Sequence, residues 1–392
     1  MIRAAKLEKV EPAPLVEQTL DDFEAIFDEM RKNHGSKSLV DGDDESKEVW
    51  EVIPYPSPSL GDAVHVGGLA LGRVTQFHGI EGSGKTFLAM LMVRETLRRY
   101  PRAYVVWADA EQSFDKEWAK TLGIDLRRVK FIETNEAAEI FNQLCGKYNT
   151  TGKFIPGLVN YAVDKKIDIK LVVLDSIASL IVPAEAGRNF DEMEMGALPK
   201  FLKRAFSRTR PLLKQANCAF IAINQAREVL GYGANASSIT YPGGKTWRHL
   251  IDFAIKLHPS SGADGKLEDE GGKVGHKIIA TVEKNRAAPN IHQGEFWFNF
   301  YKGVVRVGEE VGVLAAAYGV VQRPNNISWV YKDQTFKGKE AFFTFLEENE
   351  SIRTELLDAI KIAKANKIKR TATLSDEGTS QMDEKALFFN KD

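Results

Sequence analysis

The sequence predicts an α/β fold: a mostly parallel, twisted sheet with helices on both faces, flanked by an N-terminal helix and a small C-terminal α+β domain. Three observations carry this. Between Val52 and Ile255, strand-like and helix-like runs alternate, the pattern of a parallel sheet built from strand–helix–strand units. One strand-like run ends in a glycine-rich loop that opens directly onto a helical run. No segment recurs at a fixed period, so the chain carries one such core rather than a tandem pair.

The elements follow in order. The run LDDFEAIFDEMR (20–31) spaces Leu20, Phe23, Ile26, Phe27 and Met30 on one helical face, and Asp21 and Asp22 favour its start. The polar stretch HGSKSLVDGDDESKE (34–48) reads as a linker or turn. An amphipathic helix beyond a linker cannot bury its stripe alone, so it packs on its own core or on a neighbouring subunit. GRVTQFHGI (72–80) reads as a strand, FLAMLMVRETLRRY (87–100) as a helix and AYVVWADAE (103–111) as a strand. DKEWAKTLG (115–123) lies in a helical region and VKFIET (129–134) is a short strand. LVVLDSIASL (171–180) and CAFIAINQ (218–225) are apolar enough to be buried strands. LPKFLKRAFSRTRPLLKQ (198–215) is helical, with Pro211 expected to kink or break it. Residues 296–300 and 303–307 look like a closing hairpin. After them come a helix near 311–318, a short β segment, and helices FFTFLEEN and ELLDAIKIAKANK. This divides the chain into an N-terminal segment (1–48), a core (49–305), a small domain (306–370) and a mildly acidic tail (371–392).

Bulk properties narrow the classes. With 392 residues and 43% apolar content, the chain has material for a sizeable core and for two or three domains. A formal net charge of −1 means that any nucleic-acid contact must come from local basic patches. The two cysteines, Cys145 and Cys218, match neither zinc spacing nor a disulfide framework, which points to a reducing, cytoplasmic compartment. No apolar run approaches the roughly 20 residues that span a bilayer, and the first residues lack the apolar region of a secretory signal.

The strongest motif is Gly79-Ile80-Glu81-Gly82-Ser83-Gly84-Lys85-Thr86. It fits the phosphate-loop pattern with a strand before it and a helix after it. Backbone N–H groups freed by the glycines close around phosphates, and the helix N-terminus adds a favourable dipole. Lys85 would then reach the β- and γ-phosphates of ATP, and Thr86 would ligate Mg²⁺. Asp175, ending an apolar strand, is placed to hold the same ion through water. Glu111 ends the strand VVWADAE, where a carboxylate can orient the attacking water. Asp109 competes for that role, and spacing alone does not choose between them. Gln225 ends AFIAINQ, where an amide can touch the γ-phosphate or simply bond within a local turn.

Two segments read as loops facing a ligand: one around 185–195, and one from Arg227 to Gly244, long and rich in Gly, Ser and Ala. Gly243 and Gly244 would let a backbone approach phosphate closely. Between the loops, Lys200, Lys203/Arg204 and Arg208 line one helical face, while Leu198, Phe201, Leu202, Ala205 and Phe206 line the other. The basic face is a solvated surface or a phosphate-binding stripe, and its position between two loops favours the stripe.

At these residues the chain resembles bacterial and phage RecA-type recombinases, over roughly residues 20–365. The resemblance rests on SPSLGDAVHVGGLALGR, GIEGSGKT, DAEQSFDKEWAKTLGID, LVVLDSIASL, LLKQANCAFIAINQ, GGKTWRHL and EKNRAAP, in that order. It implies a RecA-like ATPase core that uses ATP and Mg²⁺, with Glu111 as catalytic carboxylate and Gln225 as γ-phosphate sensor. Asp115 and Trp118 fall at adenine-contacting positions, Trp118 where the family usually has Tyr. Lys284 and Arg286 fall on two lysines that reach a neighbour's ATP; arginine keeps the charge and changes the geometry. Arg248 and His249 fall on interface positions, His249 in place of Phe. Met195 and Leu230 fall on wedge positions between base triplets. Lys200, Arg227, Gly243 and Gly244 fall on backbone-contacting positions, and Ser207 replaces a basic contact for which Lys203 or Arg208 can compensate. The second loop is one residue longer than the bacterial pattern. The helix near 20–31 matches one that packs on the adjacent protomer.

The implied partners are single-stranded DNA, homologous duplex, further copies of the chain in a helical filament, and mediator or single-strand-binding proteins. A hexameric helicase would show an N-terminal collar domain, and a circadian-type regulator would duplicate the core. A filament-forming scaffold with little turnover would tolerate loss of Lys85, Thr86, Glu111 or Asp175, all of which are intact.

Overall fold

The computed structural model describes residues 25–26, 28–30, 32, 50–185, 196–225, 227–230, 237–262, 265–288 and 292–367. The chain divides into two units, Met1–Trp50 and Glu51–Asp392. In the first, the described residues of the expected 20–31 helix are helical and exposed. The 371–392 tail lies outside the described residues.

The second unit is organised by one sheet. Its strands are β1 (Val74–Gly79), β2 (Tyr104–Asp109), β3 (Val129–Ile132), β4 (Ile169–Asp175), β5 (Ala219–Gln225), β6 (Phe253–Pro259), β7 (Gly272–Asn285), β8 (His292–Asn299) and β9 (Gly303–Val305), with Lys266–Asp269 paired on β7. The order is β9-β8-β7-β6-β1-β5-β4-β2-β3. All pairings from β6 to β3 are parallel, and those from β6 to β9 are antiparallel. The parallel strands are apolar along their whole length because both faces are covered. Val106, Ala108, Val172, Leu174, Phe220 and Ala222 face a cluster built with helices α2 (Ala137–Cys145) and α3 (Ala197–Ala216). The alternate residues Val105, Trp107, Leu171, Val173 and Ile221 are also fully buried and point the other way. Helix α1 (Lys85–Arg99) packs against β1, β2, β4 and β5.

Two expectations need correction. Pro211 does not break α3, which runs from Ala197 to Ala216. Pro211 and Ser207, whose carbonyl loses its N–H partner, both lie on the exposed face, where water can serve that carbonyl. Nor is the segment from Arg227 to Gly244 simply a loop: Arg227–Leu230 and Ser237–Thr240 pair antiparallel as a hairpin, which the β-branched residues of REVL and SSIT favour. Residues 231–236 lie outside the described residues.

The C-terminal segment has its own apolar cluster. Helices α5 (Val307–Ala317) and α6 (Lys339–Glu348), a hairpin (Ser328–Tyr331 with Gln334–Lys337) and a helix over 350–367 enclose Val311, Trp329, Phe342, Leu346 and Leu356; α4 (Gly244–Leu250) belongs to the core. It is tied to the helix Pro58–Ala63 by polar contacts. Ser57 Oγ and the Ser59 N–H donate to Glu310 Oε2 at 2.6 and 2.9 Å, and Lys364 Nζ lies 2.6 Å from Asp62 Oδ1.

Candidate nucleotide site and nucleic-acid interface

Parallel strands all end on one sheet edge, and the candidate residues collect there. Gly79 ends β1 opposite Gln225, and Asp109 ends β2 opposite Asp175. The phosphate loop turns between β1 and α1 at positive φ: +70° at Gly82 and +88° at Gly84, the α1 N-cap. A Cβ on Gly84 would meet the Phe298 ring at 2.7 Å, so the position requires glycine on both counts. Glu81 and Gly82 are exposed, while Ser83 and Lys85 are buried. Lys85 Nζ donates to the Ile80 carbonyl at 2.7 Å and to Ser83 Oγ at 3.4 Å. Burial pulls the Lys85 ammonium below its usual range, opposed by the negative charges of Asp175, Glu111 and Glu81.

Thr86 Oγ1 donates to Asp175 Oδ2 at 2.9 Å. Burial pushes the Asp175 carboxyl up to about 7, and the like charge of Glu111 adds to this. Its other oxygen, Oδ1, is buried with no hydrogen-bond partner among the described residues. A buried, unpartnered carboxylate oxygen beside a threonine hydroxyl fits an Mg²⁺ site that keeps most of its waters. The glycine cradle and Lys85 fit a triphosphate.

The two carboxylates that spacing could not separate have different surroundings. Asp109 is buried and accepts the backbone N–H groups of Ser113 and Phe114 at 3.3 and 3.1 Å, closing the turn after β2. Glu111 is half-buried, and its Oε1 receives Gln225 Nε2 at 2.7 Å, Ser176 Oγ at 2.6 Å and Ser179 Oγ at 3.3 Å. The two serine hydroxyls were not anticipated, since nothing in LVVLDSIASL marks them as partners of a residue more than sixty positions upstream.

Asp115 caps the helix Lys116–Thr121, with Oδ1 accepting the N–H groups of Glu117 and Trp118 at 2.9 Å each. Trp118 stacks on Phe87 (centroids 5.1 Å apart, planes at 9°) and donates from Nε1 to the Phe300 carbonyl at 2.6 Å. Trp118, Phe87, Gly82, Gly84, Lys85 and Thr86 line one cavity of about 390 Å³. Lys273, His276, Phe298 and Phe300 complete it, all from the antiparallel side of the sheet, where no nucleotide-binding motif marks them.

Arg248, His249, Lys284 and Arg286 meet elsewhere. Lys284 Nζ donates to the carbonyls of Arg248 (2.7 Å) and Ile251 (2.6 Å). Arg286 Nη2 donates to the His249 carbonyl at 3.5 Å, and Nε lies 3.3 Å from Asp252 Oδ1. Lys284 pairs with Ala254, and Ala254 with Gln76, three residues before Gly79. That offset is about 10 Å along β1, away from the phosphate loop of the same chain.

On the nucleic-acid side, Lys200, Lys203, Arg204 and Arg208 are exposed along α3, and Leu202, Ala205 and Phe206 are buried. Arg208 Nη2 donates to the Gly146 carbonyl at 3.3 Å. Met195 lies outside the described residues. Arg227 and Leu230 are the first and last residues of the strand that starts two residues after Gln225. Gly243 (φ +92°) caps α4, and a Cβ there would strike Trp247 at 2.7 Å. Gly244 (φ +57°) has open space where its Cβ would lie.

The model of the RecA N-terminal domain matches residues 21–305. Protein RecA of Aquifex aeolicus (strain VF5) is 27% identical over 340 residues, covering 86% of this chain and 90% of that one. Protein RecA of Chloroherpeton thalassium is 28% identical over 347 residues (88% and 90%), and that of Streptomyces ambofaciens 29% over 342 residues (86% and 85%). Similarity of this extent, running through the sheet, the phosphate loop and the hairpin beyond Gln225 alike, makes the chain a member of the RecA family of recombinases.

Proposed function

We propose that the chain is a DNA-dependent ATPase that assembles into helical filaments on single-stranded DNA and carries out homologous pairing and strand exchange. The observation that carries this is the bridge between Glu111 and Gln225. One oxygen of the candidate base is bonded to the amide that ends β5, and β5 leads almost directly into the hairpin of the second candidate DNA segment.

In this scheme the phosphate-loop amides and Lys85 hold the triphosphate, and Trp118 offers its indole to the adenine. Thr86 and Asp175 would hold Mg²⁺, which would supply neutralisation of phosphate charge there. Glu111 orients the attacking water and accepts its proton, with Ser176 and Ser179 fixing the carboxylate. Gln225 exchanges its bond to Glu111 for one to the γ-phosphate, so nucleotide state reaches the Arg227–Thr240 hairpin. Lys284 lies about 10 Å along β1 from the end that leads into its own phosphate loop, and Arg286 beyond it, which supports a role for both at the next subunit's nucleotide. Lys200, Lys203 and Arg208 bind phosphates with little regard to sequence.

The test is ATP hydrolysis with and without single-stranded DNA, with Glu111→Gln alongside. Strong stimulation by DNA that the substitution abolishes supports the scheme. Turnover indifferent to DNA refutes the coupling. Unwinding in place of D-loop formation would reassign the chain to the helicase reading.

A further inference from the structure

The hairpin between α2 and the helix Leu158–Val163 belongs to none of the sites above. Its strands are Lys147–Tyr148 and Phe154–Ile155, paired antiparallel as Lys147 with Ile155 and Tyr148 with Phe154. A two-stranded ribbon alone is marginally stable in water, so its shape depends on local bonds, and these are dense. Asn149 Oδ1 accepts the N–H groups of Thr151 (3.1 Å) and Lys153 (2.8 Å) and the Thr151 hydroxyl (2.8 Å). The turn closes through Asn149 N–H to the Lys153 carbonyl at 2.9 Å. At the base, a Cβ on Gly146 would lie 2.5 Å from the Ile155 carbonyl oxygen, and one on Gly157 2.5 Å from the Gly146 nitrogen. The chain is pinched there, and the ribbon leaves the core in a fixed direction.

This shaped ribbon buries little of its apolar surface. Tyr148 is 69% exposed and Phe154 38% exposed. As a directly opposed pair they share one face, with rings 5.2 Å apart. Exposed apolar patches on a fixed scaffold mark contact surfaces. The charge around the patch selects the partner. Residues 146–157 contain Lys147 and Lys153 and no acid; Lys147 alternates with Tyr148 onto the opposite face of the ribbon, where it lines a cavity with Ile155, Glu136 and Glu139. The Arg208–Gly146 bond joins the base of the ribbon to the basic face of α3. An exposed aromatic face whose base is bonded to a row of lysines and arginines matches a polyanion with unstacked bases.

We propose that the Lys147–Ile155 hairpin is a stacking platform for unpaired bases, extending the single-stranded DNA path beyond the α3 face. This rests on the reading of α3 as a DNA-binding surface. Tyr148 and Phe154 stack on bases, which every base permits, and Lys147 and Lys153 neutralise the flanking phosphates. A duplex hides its base faces, so only the lysines engage it.

The test uses the full-length protein and a fluorescein-labelled poly-dT oligonucleotide, followed by anisotropy across a salt series. Tyr148→Ala with Phe154→Ala is expected to weaken binding about 10-fold and to leave duplex affinity unchanged. Lys147→Ala with Lys153→Ala is expected to reduce the salt slope by about 1.4. Tyr148→Trp, which retains the stacking surface, is expected to bind like the unsubstituted protein. An oligonucleotide carrying 5-iododeoxyuridine is expected to cross-link at Tyr148. ATP hydrolysis without DNA is expected to be unchanged in all variants, which controls for folding. Wild-type affinity in the aromatic double variant, with no cross-link at Tyr148, overturns the proposal. So does a defect confined to DNA-free self-association in sedimentation, which would make the hairpin a contact between copies. If the unsubstituted protein does not bind the oligonucleotide, the α3 reading falls and this one with it. If binding survives here but is lost on removing Lys200 and Lys203, only the hairpin proposal falls.

Discussion

Asp252 is the buried anion on which the junction of β1, α3 and β7 depends. Its side chain is 1% exposed. Oδ2 accepts the N–H of Val74, the first residue of β1, at 2.9 Å. Oδ1 faces Arg210 Nη2 at 3.0 Å, Arg286 Nε at 3.3 Å and Arg73 Nη1 at 3.9 Å. Asp252→Ala removes all of this at once. The orphaned Val74 N–H costs about 1–3 kcal/mol, and breaking a buried ion pair costs about 3–5 kcal/mol. The three guanidiniums are partly solvated, between 29% and 42% exposed, so water recovers part of the second term. The net loss should be about 3 kcal/mol. Asp252→Asn keeps an acceptor for Val74 while turning an amide N–H₂ toward the arginines, for a loss of about 1–2 kcal/mol. Urea unfolding followed by tryptophan fluorescence reads both. With a slope of about 3 kcal/mol per M, the midpoint falls by about 1 M for the alanine variant and by less for asparagine. An alanine variant that unfolds at the wild-type midpoint with an unchanged slope refutes the reasoning, and so does an asparagine variant weaker than alanine.

Three further outcomes are expected. Burial pushes the Glu310 carboxyl up to about 8, with the like charges of Glu309 and Glu347 adding, against the bonds from Ser57 and Ser59. The folded state therefore holds a proton that the unfolded chain releases above its ordinary carboxylate pKa. Stability is full below about pH 4.5 and falls by up to about 1.4 kcal/mol per pH unit until pH 8. Glu310→Gln should flatten the profile of unfolding midpoint between pH 5 and 8, and parallel profiles would contradict the assignment. Trp118→Ala, which deletes the Phe87 stack, should weaken ATP binding about 3–10-fold by calorimetry; unchanged affinity would remove Trp118 from the nucleotide site. Lys200→Ala with Lys203→Ala should reduce the salt slope of single-stranded DNA binding by about 1.4, and an unchanged slope would return the α3 face to plain solvated surface.

The parallel half of the sheet was legible because strands buried on both faces are written as continuous apolar runs, and the phosphate loop marks where one of them ends. The antiparallel half was harder. In β7, burial alternates from His276 to Glu283, but the buried side includes His276 and the other side Ile279, so the residue types do not spell out the period. The Arg227–Thr240 hairpin is interrupted by glycine and alanine, and loop composition outweighed its short β-branched runs. Pro211 does not end α3 because the hydrogen bond it removes costs little where the freed carbonyl meets water. At the nucleotide site, motif residues were legible one by one, but relations between distant segments were not. That Asp109 caps a turn while Glu111 gathers Ser176, Ser179 and Gln225 depends on β2 and β4 ending in register. Lys273 and His276 reach the candidate nucleotide cavity only because β7 folds back beside β6.

The strand order also governs how the protein emerges from the ribosome. β1, which leads into the phosphate loop, has β5 and β6 as its neighbours, and Ala219 follows Gly79 by 140 residues. At roughly 5–20 residues per second, translation takes on the order of ten seconds to deliver the first of those neighbours. Through that interval the apolar run of β1 has two open edges and no sheet to join, a form prone to pair with other nascent chains. The candidate nucleotide cavity, which Lys273 and Phe298 also line, cannot exist before most of the chain has been made. ATP therefore cannot template early folding, and a premature stop before residue 253 leaves a product with an unclosed sheet, for which holdase chaperones and proteases compete.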